Sequence, residues 1–189
     1  MARTDPDLID SIASLEARYP AARPASRDKQ RDALTPAMRE WLTHSPFFVL
    51  SSLAEAGIDC SPRGDAPGEA FRVLDEHRIA IPDRHGNNRI DTLRNLVRDP
   101  RVGLVFLVPG IEQTLRVRGR ASISTSAELL DTFRLDGRLP PTVIVVGVEA
   151  VWVQNFRAVR RAALWSDGAR RDPGSLPDVA ALSVPTPLT

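Results

Sequence analysis

Residues 81–93 read IPDRHGNNRIDTL, and this stretch decides how the chain is interpreted. An apolar strand over residues 78–82 runs into a turn that contains Gly86, two asparagines and Arg89, and a helix over residues 88–98 follows at once. Free amide N–H groups at the start of such a helix, the positive end of its dipole and a nearby arginine favour a bound phosphate. A capped helix with a solvated arginine explains these residues equally well, so the rest of the sequence has to decide.

Composition is that of a soluble globular protein. The 189 residues are 42% hydrophobic and 26% charged, which suits one domain with appendages. The net charge is +1, so no global field would recruit nucleic acid or an anionic membrane. Residues 1–10 carry acids where a signal peptide needs an apolar run, and no segment approaches membrane-spanning length. With one cysteine, Cys60, no intramolecular disulfide can form, and we expect a cytoplasmic protein.

The pattern of apolar residues predicts helices first and strands afterwards. A first helix carries its apolar stripe over residues 8–15 after the capping pair Asp5-Pro6, and a second helix begins at Thr35-Pro36 with Met38, Trp41 and Leu42 on its buried face. A further short helix follows Ser126 as its cap. Strands are predicted over residues 47–52, 58–63, 71–74, 78–82, 102–108, 113–125 and 142–153. Six or more strands in hairpins with few helices indicate a mainly β fold, an antiparallel barrel with peripheral helices.

The chain divides into three parts by this pattern. We predict an N-terminal helical segment over residues 1–45 and a barrel domain over residues 46–165. Residues 166–189 are rich in proline and small residues, which predicts an arm or a disordered tail.

Most motifs of catalysis and metal binding are missing. The three histidines, His44, His77 and His85, have no partner at metal-ligand spacing, so we predict no metal site. Neither a G-x-S-x-G elbow, nor G-x-G-x-x-G, nor a Walker A loop is present, which makes hydrolysis and the commonest nucleotide folds improbable. Cys60 follows an apolar strand, and we expect an inert buried thiol there.

Arginines are the better candidates for binding. Arg116 and Arg118 project from one face of a predicted strand, and two cations at this spacing need an anion, a carboxylate or water between them. Water on an exposed sheet face, or a partner molecule that meets this face, would each provide the group needed between the two arginines. Near the end of the barrel, aromatic residues frame three further arginines, although aromatics at such spacing are more often core than cofactor contacts. These residues are Trp152, Phe156, Trp165, Arg157, Arg160 and Arg161.

Three ordered stretches resemble the pyridoxamine 5′-phosphate oxidase-like family of FMN-binding split β-barrel flavoproteins. They are SPRGD at 61–65, IPDRHGNNRIDTLRNLVRDPRVGLVFLVPG at 81–110 and EQTLRVRGRA at 112–121. The resemblance extends from Pro46 to Trp165 and is greatest to a bacterial branch known only as FMN-dependent flavoproteins. It implies an antiparallel split β-barrel that forms a homodimer with two FMN sites at its interface.

The same resemblance implies the roles of individual residues. Ile81 and Pro82 would lie along the flavin, Asn88 and Arg89 would bind its phosphate, and Arg63 would reach that phosphate from the neighbouring strand. Thr114 and Arg116 would come from the other subunit. The full implied cofactor set is Arg63, Gly64, Ile81, Pro82, Asp83, Arg84, Asn87, Asn88, Arg89, Thr114, Arg116 and Arg161. We expect the substrate beside Trp152 and Arg157.

One departure from the family pattern bears on activity. True pyridoxamine phosphate oxidases end in a tryptophan, a glycine pair and an Arg-Leu-His-Asp-Arg run that holds the substrate phosphate, whereas residues 152–157 here read WVQNFR. We therefore expect an FMN-dependent oxidoreductase that acts on an unidentified small molecule rather than on vitamin B6, with NAD(P)H as one candidate reductant. The alternatives are a flavin-binding protein without turnover, or a related barrel that uses deazaflavin F420 or haem. No side chain stands out as an obligatory acid or base.

Overall fold

The computed structural model describes residues 7–21, 29–86, 88–154, 157–178 and 182, in two compact units, Met1–Gln30 and Arg31–Thr189. In the described part of the first unit lies a short helix, α1 (Ile12–Glu16), which Ser11 caps by accepting a hydrogen bond from the Ser14 amide at 3.2 Å. The expected longer helix is therefore wrong, because the Ser11 cap places the start of the helix inside the apolar stripe. Residues of that stripe are exposed, Ile12 by 70%. The expected cap Asp5-Pro6 lies outside the described residues.

The second unit contains a seven-stranded sheet. Its helices and strands are α2 (Pro36–Thr43), β1 (Phe47–Ala54), β2 (Gly57–Gly64), β3 (Arg72–Val73), β4 (Arg78–Asp83), α3 (Asp91–Arg98), β5 (Arg101–Leu107), β6 (Thr114–Ser124), α4 (Ala127–Asp131), β7 (Thr142–Gln154) and α5 (Arg157–Arg161). Short 3₁₀ turns follow at Asp167–Ala169 and Pro173–Ser175. All strand pairs are antiparallel, in the order β2-β1-β5-β6-β7-β4-β3. The mainly β, antiparallel fold predicted from the sequence is confirmed.

The long strand β6 shows why the sheet has one apolar face. Leu115 and Val117 are buried at 2% exposure, while the alternating residues Arg116, Arg118 and Arg120 are exposed. This is the period-2 pattern of a strand with one face on a core. The predicted alternation in β6 is confirmed, and the arginine row lies on the face away from the core.

The core is packed between the strands and α2. Three phenylalanines, Phe48, Phe71 and Phe106, meet with ring centroids 4.8–5.6 Å apart. Leu42 of α2 is 1% exposed, and the Thr35 hydroxyl caps this helix by accepting from the Met38 amide at 3.2 Å. The sequence placed the start of α2 and its buried face correctly.

Strands β6 and β7 approach unusually closely at one point. The register shifts between Arg118 and Gly119, and a Cβ atom at Gly119 would overlap the carbonyl oxygen of Gly147. Such a bulge bends the strand and raises its twist. Glycine is therefore required at this position of the sheet.

Helix α3 begins later than predicted. Asn88 and Ile90 both have left-handed backbones, with φ of 56° and 50°, so the chain does not enter helical geometry until Asp91. The expected start at Asn88 is wrong for this reason. Once formed, α3 buries Asn95, whose side chain donates to the Ser52 hydroxyl at 3.1 Å and so attaches the helix to β1.

The remaining predictions on organisation have mixed outcomes. Helix α4 begins after Ser126 as expected, but the Ser126 side chain makes no capping hydrogen bond. The boundaries at residues 45/46 and 165/166 remain predictions. In the described part of the chain, no helix has the length and apolar character needed to cross a membrane.

Candidate functional site

A cleft of about 410 Å³ opens between β2, the end of β4 and the start of α3, and we call it the β2–α3 cleft. It brings together residues of the two sequence motifs at 61–65 and 81–93. Its lining residues are Asp59, Cys60, Ser61, Pro62, Arg63, Asp83, Arg84, Gly86, Asn88, Arg89, Ile90, Asp91, Thr92 and Leu93.

Arg63 is the cleft residue with the clearest capacity to bind a ligand. One terminal nitrogen of its guanidinium lies 3.5 Å from an Asp83 carboxylate oxygen, an ion pair that joins β2 to the end of β4. Its Nε is buried and has no hydrogen-bond partner among the described residues. The side chain is 24% exposed, so the terminal nitrogens are the part of this guanidinium that a ligand acceptor can reach. A hydrogen bond from this charged group to a ligand would contribute about 1.5–3 kcal/mol.

Arg84 has a different role. Its guanidinium donates to the Phe133 carbonyl at 2.6 Å, to an Asp65 carboxylate oxygen at 3.3 Å, and to the Glu69 carbonyl and carboxylate at 3.3 and 3.4 Å. These four hydrogen bonds use the Nε and both terminal nitrogens of the guanidinium. Within the chain, Arg84 therefore positions β4 against the loop after β2 and against the end of α4. Sequence reasoning missed Asp65 and Glu69 as its partners, because only the fold brings them to Arg84.

The turn before α3 presents the second part of an anion site. The N-cap residue of α3, Ile90, makes no side-chain capping hydrogen bond, and the first amide N–H groups of the helix have no side-chain acceptor among the described residues. Arg89 is beside them, with its Nε 2.8 Å from an Asp91 carboxylate oxygen and its side chain 73% exposed. Helix N-termini and arginines both favour negative charge. The predicted residue Asn87 lies outside the described residues.

Three further residues predicted to contact the cofactor, Gly64, Ile81 and Pro82, are not among those that line the cleft. Ile81 is 1% exposed in the core, and Pro82 is buried opposite Val143 of β7. Gly64 follows Arg63 at the end of β2, where a Cβ atom would come within 3.2 Å of the Phe47 ring. The side chain of Ile81 thus faces the core.

The other predicted site residues lie on β6, β7 and α5. The Arg116 guanidinium lies over the Trp152 ring, with its carbon 4.9 Å from the ring centroid, and donates to the Gln154 side chain at 3.2 Å. Thr114 lies at the start of β6, opposite Gln154, and Arg157 and Arg161 lie on α5. None of them lines the β2–α3 cleft of the same chain. Asn155 and Phe156 lie outside the described residues.

Arg160, also on α5, forms an ion pair with Glu112. Arg160 donates to one carboxylate oxygen of Glu112 at 3.1 Å and to the other at 2.9 and 2.7 Å, and this hydrogen bonding lowers the pKa of Glu112. The Trp165 indole N–H donates to the Ile111 carbonyl at 2.8 Å. These contacts attach α5 and the following residues to the loop between β5 and β6.

Cys60 is exposed rather than buried, so the expectation of a buried thiol is wrong. It lies on β2, the edge strand of the sheet, and its Sγ is 3.3 Å from the Ser51 hydroxyl on β1. Because β2 has a neighbour on one side only and its residues alternate in direction, Cys60 faces away from the core. Among the described residues, no group of three or more His, Cys, Asp or Glu side chains could hold a metal ion.

Comparison with known proteins gives consistent results. The sequence profile of the pyridoxamine 5′-phosphate oxidase family matches residues 34–161. HupZ from Group A Streptococcus is similar in structure, with 16% identity, a TM-score of 0.50, and 63% of this chain and 92% of that chain covered. A candidate pyridoxamine 5′-phosphate oxidase from Lactobacillus delbrueckii has 16% identity and a TM-score of 0.52, with 66% and 98% covered. No curated protein matches. At this level of identity, the two structures establish a shared fold.

Proposed function

Because this chain belongs to the pyridoxamine 5′-phosphate oxidase family, we propose that it binds FMN in the β2–α3 cleft and acts as an FMN-dependent oxidoreductase on a small molecule. The observation that carries the proposal is Arg63, a cleft residue whose guanidinium makes one ion pair, with Asp83 at 3.5 Å, and no hydrogen bond among the described residues. A phosphate group would supply acceptors for the accessible terminal nitrogens.

The cleft fits the phosphate end of FMN in size and in donors. A volume of about 410 Å³ lies within the range of sites for small molecules. Arg63 pairs with Asp83 and Arg89 pairs with Asp91, so both guanidinium groups are held at the cleft. An arginine has five N–H donors, and the ion pair of Arg63 leaves others of that residue for phosphate oxygens. The amide N–H groups at the start of α3 are further donors, and they favour an anionic group over a neutral one.

The flavin ring, when bound, supplies the redox chemistry, and the protein supplies binding, orientation and local charge. Pro82 and Ile81 at the end of β4 would position the ring through the backbone, because the Ile81 side chain is in the core. Thr114 and Arg116 are outside the cleft of their own chain. We therefore propose that the protein is a homodimer in which each chain completes the site of the other.

Trp152 and Arg157 would line the substrate side of this dimeric site. The stacked pair of Arg116 and Trp152 presents a cation held against an aromatic surface, which suits an anionic or electron-rich small molecule. Residues 152–157 lack the run that holds the phosphate of the B6 substrate. Negligible oxidation of pyridoxamine 5′-phosphate is the expected consequence.

The absorption spectrum of the purified protein is the first test. A flavin spectrum, with the released chromophore identified as FMN by mass, supports the proposal, whereas a haem or deazaflavin spectrum contradicts it. FMN and riboflavin are then titrated into the apoprotein. Tighter binding of FMN is expected because the ring is shared and only FMN carries the phosphate.

Turnover needs a separate experiment. The FMN-loaded protein is mixed with NADH or NADPH in a stopped-flow instrument, and flavin bleaching is followed, with a pyridoxamine 5′-phosphate oxidase assay in parallel. Reduction by a nicotinamide with negligible B6 turnover is the expected result. A flavin that no nicotinamide reduces would instead favour a binding protein without turnover, and rapid B6 turnover would show that the C-terminal motif was misread.

A further inference from the structure

A second cavity, of about 520 Å³, lies between α2 and the start of β3, and we call it the α2–β3 pocket. It shares no lining residue with the β2–α3 cleft. Leu42 and Phe71 are its buried apolar members, at 1% and 6% exposure, and Val73 is beside them. The charged members are Arg39, Glu40 and Arg72. The pocket therefore combines an apolar surface with cationic groups.

Arg39, on α2, has an unsatisfied donor. Its Nε is buried and has no hydrogen-bond partner in the described part of the chain, and the side chain forms no ion pair there. A buried N–H of a charged group is costly when it is left unpaired, and a native protein rarely retains one without a reason. Arg39 as a whole is only half-buried, and its terminal nitrogens also form no hydrogen bond with the described residues. An acceptor oxygen of a ligand in the pocket would therefore pair with these terminal nitrogens.

Arg72 is a second cation of the lining, and it is held in place. Its Nε donates to the Thr132 carbonyl at 3.0 Å, its guanidinium carbon lies 5.3 Å from the centroid of the Phe133 ring, and one terminal nitrogen is 3.8 Å from a Glu69 carboxylate oxygen. These contacts fix the position of the positive charge. Arg72 therefore adds to the potential of the pocket without having to reorganise.

The charges and the apolar surface together define the class of ligand. Two arginines and one glutamate, Glu40, give the lining a formal charge of +1, and Glu69 beside Arg72 offsets one of the two cations. Arg39 remains as the lining cation without a partner among the described residues. We propose that the α2–β3 pocket binds a small monocarboxylic acid with an apolar body, whose carboxylate pairs with Arg39 and whose hydrocarbon part packs on the accessible lining residues Pro36 and Val73. A phosphate dianion would bring two negative charges to this one unpaired cation.

The test uses 4-phenylbutyrate as the probe and 4-phenylbutanol as its neutral counterpart. Both are titrated by calorimetry into the full chain carrying its bound cofactor. Because a hydrogen bond to a charged group contributes about 1.5–3 kcal/mol, the acid should bind at least about tenfold more tightly than the alcohol. Saturable binding of the acid at one site per chain is expected. Absence of saturable binding, or equal affinity for acid and alcohol, would overturn the proposal.

Two variants locate the site. Arg39→Met keeps the aliphatic stem but removes the guanidinium, and it should lose the preference for the acid. Arg98→Met removes an exposed arginine of α3 that is not in the pocket, and it should bind the acid as the unchanged protein does. Without probe, Arg39→Met should unfold at the same or a higher temperature, since it removes an unpaired buried donor. If Arg39→Met fails to fold, chemical shifts of Leu42 and Val73 decide: movement with acid supports the pocket, and none contradicts it.

Discussion

Arginines at the β2–α3 cleft have two different roles, although the sequence offers no way to tell them apart. Arg84 makes four hydrogen bonds to groups of its own chain and so holds the walls of the cleft together. Arg63 pairs with Asp83 through one terminal nitrogen and retains an unpartnered buried Nε within the described residues. Arg63 is therefore the better candidate for a ligand contact.

Removing either proposed phosphate arginine should weaken FMN binding selectively. Arg63→Met or Arg89→Ala should each cost about 1.5–3 kcal/mol of FMN affinity, the range for hydrogen bonds to charged groups, and should leave riboflavin affinity nearly unchanged. Fluorescence quenching titrations of both flavins measure this, with Arg98→Ala as the matched control. Equal affinity of the unchanged protein for FMN and riboflavin would contradict the phosphate assignment.

Asp99, before β5, gives a prediction about pH. The Arg101 side chain and backbone amide donate to its carboxylate, and this lowers the pKa of Asp99 from 3.8 to about 2. A lowered folded-state pKa stabilises the protein above pH 3.8, and that contribution is lost as the pH falls toward 2.

The Asp99→Asn variant should therefore be less stable than the unchanged protein by a constant amount between about pH 5 and pH 7. Below pH 3.8 the difference should shrink, because the protonated aspartic acid loses its charged hydrogen bonds as the amide does. Urea denaturation at a series of pH values measures it. A gap that stays constant down to about pH 3 would show that the pairing does not perturb this carboxyl.

At the scale of elements, the close approach of β6 and β7 depends on one glycine. Gly119→Ala would place a methyl group against the Gly147 carbonyl, which cannot move without breaking the strand pairing. We expect a loss of about 1–3 kcal/mol or more in the free energy of unfolding, as for other overpacked sites. Gly103→Ala is the control, since its nearest atom would be Ser51 Cβ at an ordinary 3.9 Å. Equal denaturation midpoints for the two variants would refute the steric argument.

At the scale of the whole molecule, the residues proposed to contact the flavin and the substrate do not all lie at one cleft of a single chain. Among the described residues, no aromatic side chain lines the β2–α3 cleft, whereas Trp152 and Arg116 lie together on β6 and β7 outside it. A second copy could supply them.

We therefore expect a dimer in solution that FMN stabilises through linkage. Sedimentation velocity at micromolar concentrations, with and without FMN, measures the dimer fraction. Arg116→Glu should lower both FMN affinity and the dimer fraction, and Arg98→Glu should change neither. A flavin-loaded monomer would contradict the shared site.

Local patterns in the sequence were sufficient for much of the fold. The alternation in β6 and the Thr35-Pro36 start of α2 were predicted correctly, because each depends on side chains a few residues apart. The family resemblance also implied that the motifs at residues 61–65 and 81–93 contribute to one site, and residues of both line the β2–α3 cleft. Side-chain alternation along a strand and a Thr-Pro helix start depend on neighbouring residues, so the sequence predicted them. The starts of α1 and α3 were not predicted, because several neighbouring residues could begin each helix and only the folded backbone selects one.

Only the tertiary structure decided the environments that depend on distant parts of the chain. Cys60 is exposed because β2 is an edge strand, and Arg84 makes four hydrogen bonds because residues 65–69 and Phe133 converge on it. Arg39 and Arg63 each have a buried Nε without an acceptor from the described residues, because packing between distant parts of the chain encloses these atoms. Burial and hydrogen bonding are set by contacts between residues far apart in sequence, and no local pattern contains that information.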